Sequence, residues 1–259
     1  MDTPMYCWTP DGEKKVLPDE RVFDDWMDPS NSAIACVDMH RSHIGDDPDM
    51  PVPAPRATDR IDAHNAFHRA AREIGVPVIM VQHWQRHGGT DDIKSQLVEG
   101  GTNWRHLEKI YMNLDQENMD ELGWEGTKWV DLMVEEDPRD LYVRTKKRLS
   151  GFYPTDLEFL LRQLGVRNLV IDGTLTDCCV LNTAFDAANR DFRVVVPRDV
   201  AAGMSQEMEG AAEKVIANHL GLIVDAPALL REWYARQGAE LPADLARAET
   251  MNDVTFAKT

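Results

Sequence analysis

An acid, an amine and a thiol stand at the ends of three separate apolar runs in this chain. Asp38 closes the run Ala33–Val37, and Lys146 and Lys147 follow the run Leu141–Arg144. The segment Gly173-Thr174-Leu175-Thr176-Asp177-Cys178-Cys179 follows Leu169–Asp172. A free thiol titrates near 8.5, roughly, and is mostly protonated at neutral pH. A helix N-terminus and a nearby ammonium favour its thiolate, and a carboxylate can take the proton. Such a thiolate attacks a carbonyl carbon. Backbone N–H groups in the turn before the helix can hold the oxyanion, and water then releases a thioester-type acyl-enzyme. Taken singly, each residue has a plainer reading. An Asp at a strand end is commonly a turn residue, a Lys after a strand is a solvated charge, and a Cys at a helix start fills space. Only convergence on one sheet edge makes chemistry, so the elements that position these groups decide the matter.

Six short apolar runs read as strands: 33–38, 76–81, 141–144, 169–173, 194–197 and 222–225. Continuous β-branched runs of this length suit strands buried on both faces of a parallel sheet. Between them, helical periodicity covers 57–74, 156–164, 177–189 and 206–220. Gly75 and Gly165 stop the first two helices, and Thr155 with Glu158 forms a capping box for the second. Strands alternating with helices predict a three-layer α/β/α sandwich, doubly wound through right-handed crossovers. Parallel sheets of this kind place their sites at the carboxyl ends of the strands, where Asp38, Lys146 and Lys147, and Cys178 and Cys179 fall.

Residues 84–140 fit no strand–helix alternation, and they hold Trp84, Trp104, Tyr111, Trp124 and Trp129 among many charges. A connection that long is expected to be a lid over the site or an oligomer-contact arm. Residues 1–30 read as an N-terminal arm, 31–236 as the α/β domain and 237–259 as a C-terminal arm. Lys plus Arg is 28 against 45 Asp plus Glu, a formal charge of −17. That excess repels phosphate backbones and anionic lipid, which argues against nucleic-acid and membrane partners. Residues 1–18 contain no apolar signal stretch, and the four cysteines have no zinc spacing and are too few for a disulfide framework. A cytoplasmic protein with reduced thiols is the expectation.

The spacing around Cys179 is more specific than its chemistry. Gly173-x-x-Thr176-x-x-Cys179-Val180-x-x-Thr183-x-x-Asp186-Ala187 resembles, at every fixed position, the nucleophile motif of the isochorismatase-like cysteine hydrolases. Lys146-x-x-x-Ser150-Gly151-Phe152, followed by Thr155 and Leu157, is similar to the family's lysine segment, and Ala35-Cys36-Val37-Asp38-Met39 to its first-strand motif. The motifs come in the family's order, and the resemblance spans about residues 30–235. It implies a six-stranded parallel sheet in the order 3-2-1-4-5-6. It also implies a triad of Asp38 as general base, Lys146 as the cation favouring thiolate, and Cys179 as nucleophile. Cys178, at a variable position, is expected to point elsewhere. A cis Thr174–Leu175 peptide is implied, aiming the Leu175 N–H with that of Cys179 at the oxyanion.

There are departures. Gln and Phe of the family pattern are His40 and His43 here, which changes the wall beside the base. The place where nicotinamidases of the family carry a metal-binding Asp-x-His reads Gln82-His83-Trp84-Gln85-Arg86-His87, with no acid, so nicotinamidase is disfavoured. A histidine-only metal site from His40, His43, His83 and His87 is weighed against hydrogen-bonded pocket histidines, and the latter reading is preferred. The site expected is therefore Asp38, Lys146 and Cys179, with Thr174, Leu175, His40, His43, Trp84, His87 and Phe152 around the substrate, and no metal or cofactor. The complete triad implies a C–N hydrolase acting on a small amide or ureido (carbamoyl) compound, with a subunit that is commonly part of a homo-oligomer. The alternatives are a vinyl-ether hydrolase of the isochorismatase type and a non-catalytic binding protein on the same fold. A dithiol role for Cys178-Cys179 and a dinucleotide oxidoreductase both lack their motifs.

Overall fold

The computed structural model describes residues 5–17, 23–87, 91, 118 and 121–255. Trp104 and Tyr111 lie outside the described residues. The strands are β1 Tyr6–Trp8, β2 Lys14–Val16, β3 Ser32–Val37, β4 Val78–His83, β5 Leu141–Lys146, β6 Asn168–Thr174, β7 Arg193–Pro197, β8 Ala201–Ala202 and β9 Gly221–Val224. The helices are α1 Pro55–Thr58, α2 Ile61–Glu73, α3 Leu157–Gln163, α4 Leu181–Ala188, α5 Gln206–His219, α6 Ala226–Gln237 and α7 Ala243–Arg247.

The six strands β5-β4-β3-β6-β7-β9 lie side by side and parallel. Numbered among themselves, they have the order 3-2-1-4-5-6. The sheet is larger than six strands, because β1 and β2 form an antiparallel hairpin whose Trp8 pairs with Ile223 of β9. The two-residue β8 pairs with the end of β6. Along β3 the side chains alternate between two cores. Ile34 and Cys36 face the core shared with α2 and α6, whereas Ala33, Ala35 and Val37 face the core shared with α3 and α4. Both faces of the central strands are thus covered, which explains their unbroken apolar runs. Among the described residues, no helix is long and apolar enough to cross a membrane.

Several local features differ from the sequence reading. The helix expected over 57–74 is two helices, broken at Asp59–Arg60. There the Arg60 guanidinium turns to donate to the carbonyls of Arg198 and Ala201. The capping box at α3 is absent. Thr155 Oγ1 instead donates to Gly151 O at 2.6 Å, and Glu158 pairs with Arg190 and Arg162. The stretch after Gln237 packs rather than frays. Leu241, Leu245, Met251 and Val254 are buried in the α2/α6 core, and Asp199 accepts from the Met251 N–H at 2.8 Å. The N-terminal stretch likewise contributes Trp8, whose Nε1 donates to Asp225 at 3.1 Å.

Candidate active site

The carboxyl ends of β3, β4 and β5 and the turn after β6 meet at one point. Asp38 follows β3 with φ of 54°, the left-handed region that a short polar side chain tolerates. The chain can make this bend because Gly173 lies alongside. A Cβ on Gly173 would collide with the Val37 backbone, so β6 could not approach so closely with any other residue. Asp38 is fully buried, and so is Lys146 at the last position of β5.

Buried charges persist only when paired and hydrogen-bonded. Lys146 Nζ donates to Asp38 Oδ2 at 2.6 Å and to Cys179 Sγ at 3.3 Å. The His83 N–H donates to Asp38 Oδ1 at 2.7 Å, and His40 Nε2 stands 3.8 Å from the same oxygen. Burial by itself would raise the Asp38 carboxyl. The Lys146 charge overrides it, with His40 and His83 adding, and holds Asp38 well below the usual carboxylate range. Burial would likewise lower Lys146, but Asp38 and Cys179 push it above the ordinary lysine value. The Cys179 thiol is pushed well up, first by its hydrogen bond with the Cys178 side chain and then by burial, against the pull of Lys146. The resting constellation is therefore carboxylate, ammonium and thiol, with the ammonium nearer the carboxylate.

Cys179 lies in a single π-helical turn, Thr176–Val180, that leads into α4. The Val180 N–H reaches back five residues to Leu175 O at 3.1 Å. Such turns are frequent at functional sites. The Thr174–Leu175 peptide immediately before it is cis. Thr183 ties the turn to the lysine segment, donating to Cys179 O at 2.7 Å and accepting from the Gly151 N–H at 2.9 Å.

A pocket opens on this point. Among the described residues it is lined by Asp38, His43, Val52, His83, Leu122, Leu149, Leu175, Cys178 and Cys179. Of the residues singled out in the sequence, Asp38, His43, Leu175 and Cys179 thus face it, and Lys146 touches two of them from behind. Cys178 does not point elsewhere: it lines the same pocket. His43 Nδ1 lies 3.1 Å from Val52 O, which can only accept, so the hydrogen sits on Nδ1. Burial lowers the His43 pKa to about 3, leaving a neutral ring whose Nε2 is an acceptor.

Besides Lys146, five residues singled out in the sequence are not on the pocket wall. Thr174 is buried and donates to Ala202 O at 3.1 Å. His40 is buried behind Asp38. Phe152 packs in the α3/α4 core, 5.9 Å from the Phe192 ring. Trp84 lies against the Arg144 guanidinium, and His87 is exposed beside the Trp124 ring. The backbone at Trp84 stays paired with β5, its N–H donating to Lys146 O at 2.9 Å. His83, one of the histidines read as hydrogen-bonded pocket residues, does line the wall, whereas the sequence reading missed Val52, Leu122 and Leu149. Leu122 comes from the far end of the 84–140 stretch. Its neighbour Gly123 donates to Ser42 Oγ at 3.1 Å and accepts from the Gln85 N–H at 2.7 Å. A Cβ at Gly123, whose φ is 67°, would strike the His83 carbonyl. The four histidines weighed as a metal set do not gather: His43 and His83 face the pocket, His40 lies behind it and His87 is outside. Gln85 accepts from His83 Nε2 at 2.9 Å when its amide nitrogen faces Asp91.

This arrangement sets a thiol within reach of an ammonium that also holds a buried carboxylate. Comparison with known proteins agrees in fold and family. Residues 32–227 match the isochorismatase domain, so the chain belongs to the isochorismatase family. Ureidoacrylate amidohydrolase RutB of Methylorubrum extorquens is 32% identical over 181 residues, covering 67% of this chain and 70% of the relative. An uncharacterized isochorismatase family protein of Bacillus subtilis, PncA, is 42% identical over 82 residues, which is 32% of this chain and 45% of that protein. The chain therefore spans less than half of one relative and about two thirds of the other. A cysteine hydrolase from Pseudomonas syringae superposes with a TM-score of 0.67 at 21% identity, covering 91% of this chain and 99% of its own. A pyrazinamidase of Pyrococcus horikoshii, solved with zinc, gives 0.59 at 26% identity, covering 75% and 98%.

Proposed function

We propose that this chain is a cysteine-dependent amidohydrolase that cleaves a C–N bond of a small amide or ureido compound. The observation that carries the reading is the position of Lys146 Nζ, bonded at once to Asp38 and to Cys179 Sγ. The RutB similarity supports the ureido side of the substrate class.

In the reaction Cys179 Sγ attacks the carbonyl carbon while its proton passes to Asp38. Carboxylate, ammonium and thiol become carboxylic acid, ammonium and sulfide bonded to carbon. The ammonium stays put, and the new negative charge sits on the substrate oxygen. The N–H groups of Leu175 and Cys179 bind that oxyanion. Its collapse expels the amine, which takes the proton from Asp38, and leaves a thioester. Water then attacks the thioester, giving one proton to Asp38. The acid departs, and that proton returns to Sγ. The first transfer leaves the net charge of the buried trio and bound substrate unchanged, so no uncompensated charge is created in a low-dielectric site. His43 Nε2, an acceptor, receives an N–H of the substrate, which suits amides and ureides over esters.

The test is ammonia release from a panel of small amides and ureides by the wild type and Cys179→Ala. Turnover that disappears in the variant supports the reading. Turnover that survives in Cys179→Ala, or a panel on which the folded wild type shows none, overturns it.

A further inference from the structure

A second cluster of reactive side chains lies inside the sheet sandwich, on the opposite side of the central strands from α4. Cys36 on β3 and Asp172 on β6 are register partners across a parallel pair, so their side chains emerge together on one face. Over them lies α2, which presents His64 and His68 one turn apart. All four are buried, and one ligating atom from each falls within 4.8 Å of the others.

Their hydrogen bonding is lopsided. His68 Nε2 lies 2.7 Å and His64 Nδ1 3.3 Å from the same oxygen, Asp172 Oδ2. Asp172 Oδ1, His64 Nε2 and His68 Nδ1 have no partner. Buried polar atoms left without partners in this way call for a specific explanation, a bound ion among them. Here two imidazole nitrogens, a carboxylate oxygen and a sulfur converge on one another.

We propose that Cys36, His64, His68 and Asp172 form a binding site for a zinc-class divalent transition metal. Thiolate and imidazole donors select such ions over magnesium or calcium. Two neutral imidazoles, one thiolate and one carboxylate around a dication give a net charge of zero, which a dry interior accepts. Donors around tetrahedral zinc stand roughly 3.2–3.8 Å apart, so binding draws the sulfur inward and opens the His68–Asp172 contact slightly. Cys36 loses its proton to solvent on binding, and any proton shared between the histidines and Asp172 leaves with it. Four protein ligands close the shell, which makes the site structural rather than hydrolytic. Its role follows from its place. Cys36 stands two residues before Asp38, and Asp172 two before Thr174, the first residue of the cis peptide. The ion ties α2 to the two strands from which the base and the nucleophile turn depart. None of the four residues belongs to the triad or the pocket, so this inference stands apart from the hydrolase reading.

The test uses the full chain, purified after growth with zinc and again after chelator treatment. The measurements are metal content, thermal unfolding, and absorption after replacement by cobalt(II). The expectation is about one tightly held metal per chain, a rise in Tm of roughly 5–10 °C on adding zinc to the stripped protein, and a thiolate-to-cobalt charge-transfer band. Cys36→Ser loses that band. The double variant His64→Gln/His68→Gln loses the metal, and Cys179→Ala keeps it. Cys36→Ala fills the site with a small apolar group and guards against a variant that fails to fold: its Tm stops responding to zinc. Wild-type protein without stoichiometric metal and without a cobalt band overturns the proposal. So does a metal that persists in the double variant or departs in Cys179→Ala.

Discussion

Two cysteine–carboxylate clusters share the central strands of this molecule, and their surroundings give them opposite characters. Asp38 and Cys179 meet across an ammonium, at the strand ends, facing a pocket. Cys36 and Asp172 meet under two imidazoles, within the strands, sealed by α2. An ammonium has no lone pair, so it can stabilise a sulfur anion but never join it in binding a cation. Imidazoles in the neutral form do offer lone pairs, and they turn the same thiol and carboxylate into ligands. What the companion group is, and whether a carbonyl can reach the sulfur, separates a nucleophile from a ligand.

The sharpest way to break the comparison is to remove each thiol in turn. Cys179→Ala is expected to lower kcat roughly 10⁴-fold or more, while Cys36→Ala lowers it less than about tenfold. Steady-state ammonia release checks both. Equal losses would mean that the two clusters are one functional unit.

Removing each carboxylate charge sharpens it. Asp38→Asn takes away the proton acceptor, and kcat is expected to fall roughly 10²–10⁴-fold. Asp172→Asn leaves His64 and His68 without their shared anion. It should cost about 1–3 kcal/mol of stability, read by denaturant unfolding, with kcat changed less than about tenfold.

The pocket histidine adds a pH signature. Folded His43 titrates near 3, whereas an unfolded histidine titrates near about 6.5. Between those values the unfolded chain binds the extra proton, so this group makes stability fall as pH falls from about 6.5 toward 3 and leaves it flat above. From pH 7 to 5 its share is about 2 kcal/mol. His43→Phe should lose that part of the slope in denaturant unfolding at the two pH values. The exposed His87 gives the smallest effect. His87→Ala should shift stability by less than about 0.5 kcal/mol and leave kcat/KM within about twofold.

The sequence made one of these clusters legible and hid the other, for physical reasons. The inner strands announced themselves because both faces are covered, which removes polar residues from the run; the edge strand β5, with Arg144 and Thr145 exposed, gave the weakest run. Gly173, Thr176, Cys179 and Thr183 are spaced by the turn itself, so the nucleophile segment could be read as a unit. The β1–β2 hairpin could not, because three-residue strands with mostly exposed side chains carry no periodicity. Phe152, Trp84 and His87 were placed near the pocket by adjacency in sequence, yet Trp84 lies against Arg144, His87 is exposed beside Trp124 and Phe152 sinks into the core. His64-x-x-x-His68 was visible as a one-turn repeat within the apolar face of α2, beside Ala63, Phe67 and Ala71. Its meaning depends on Cys36 and Asp172, which reach it only through the register of β3 against β6, and no local spacing encodes that register.

The fastening at Gly123 has a consequence for how this scaffold can be re-engineered. The far end of the 84–140 stretch is held by hydrogen bonds of the Gly123 backbone with Ser42 Oγ and the Gln85 N–H, and it contributes Leu122 to the pocket wall. Its anchor points belong to the catalytic frame, but none of its own residues belongs to the triad. Substitutions at Leu122 are therefore expected to change which compounds fit beside Cys179 while leaving the Lys146 bonds to Asp38 and Cys179 in place.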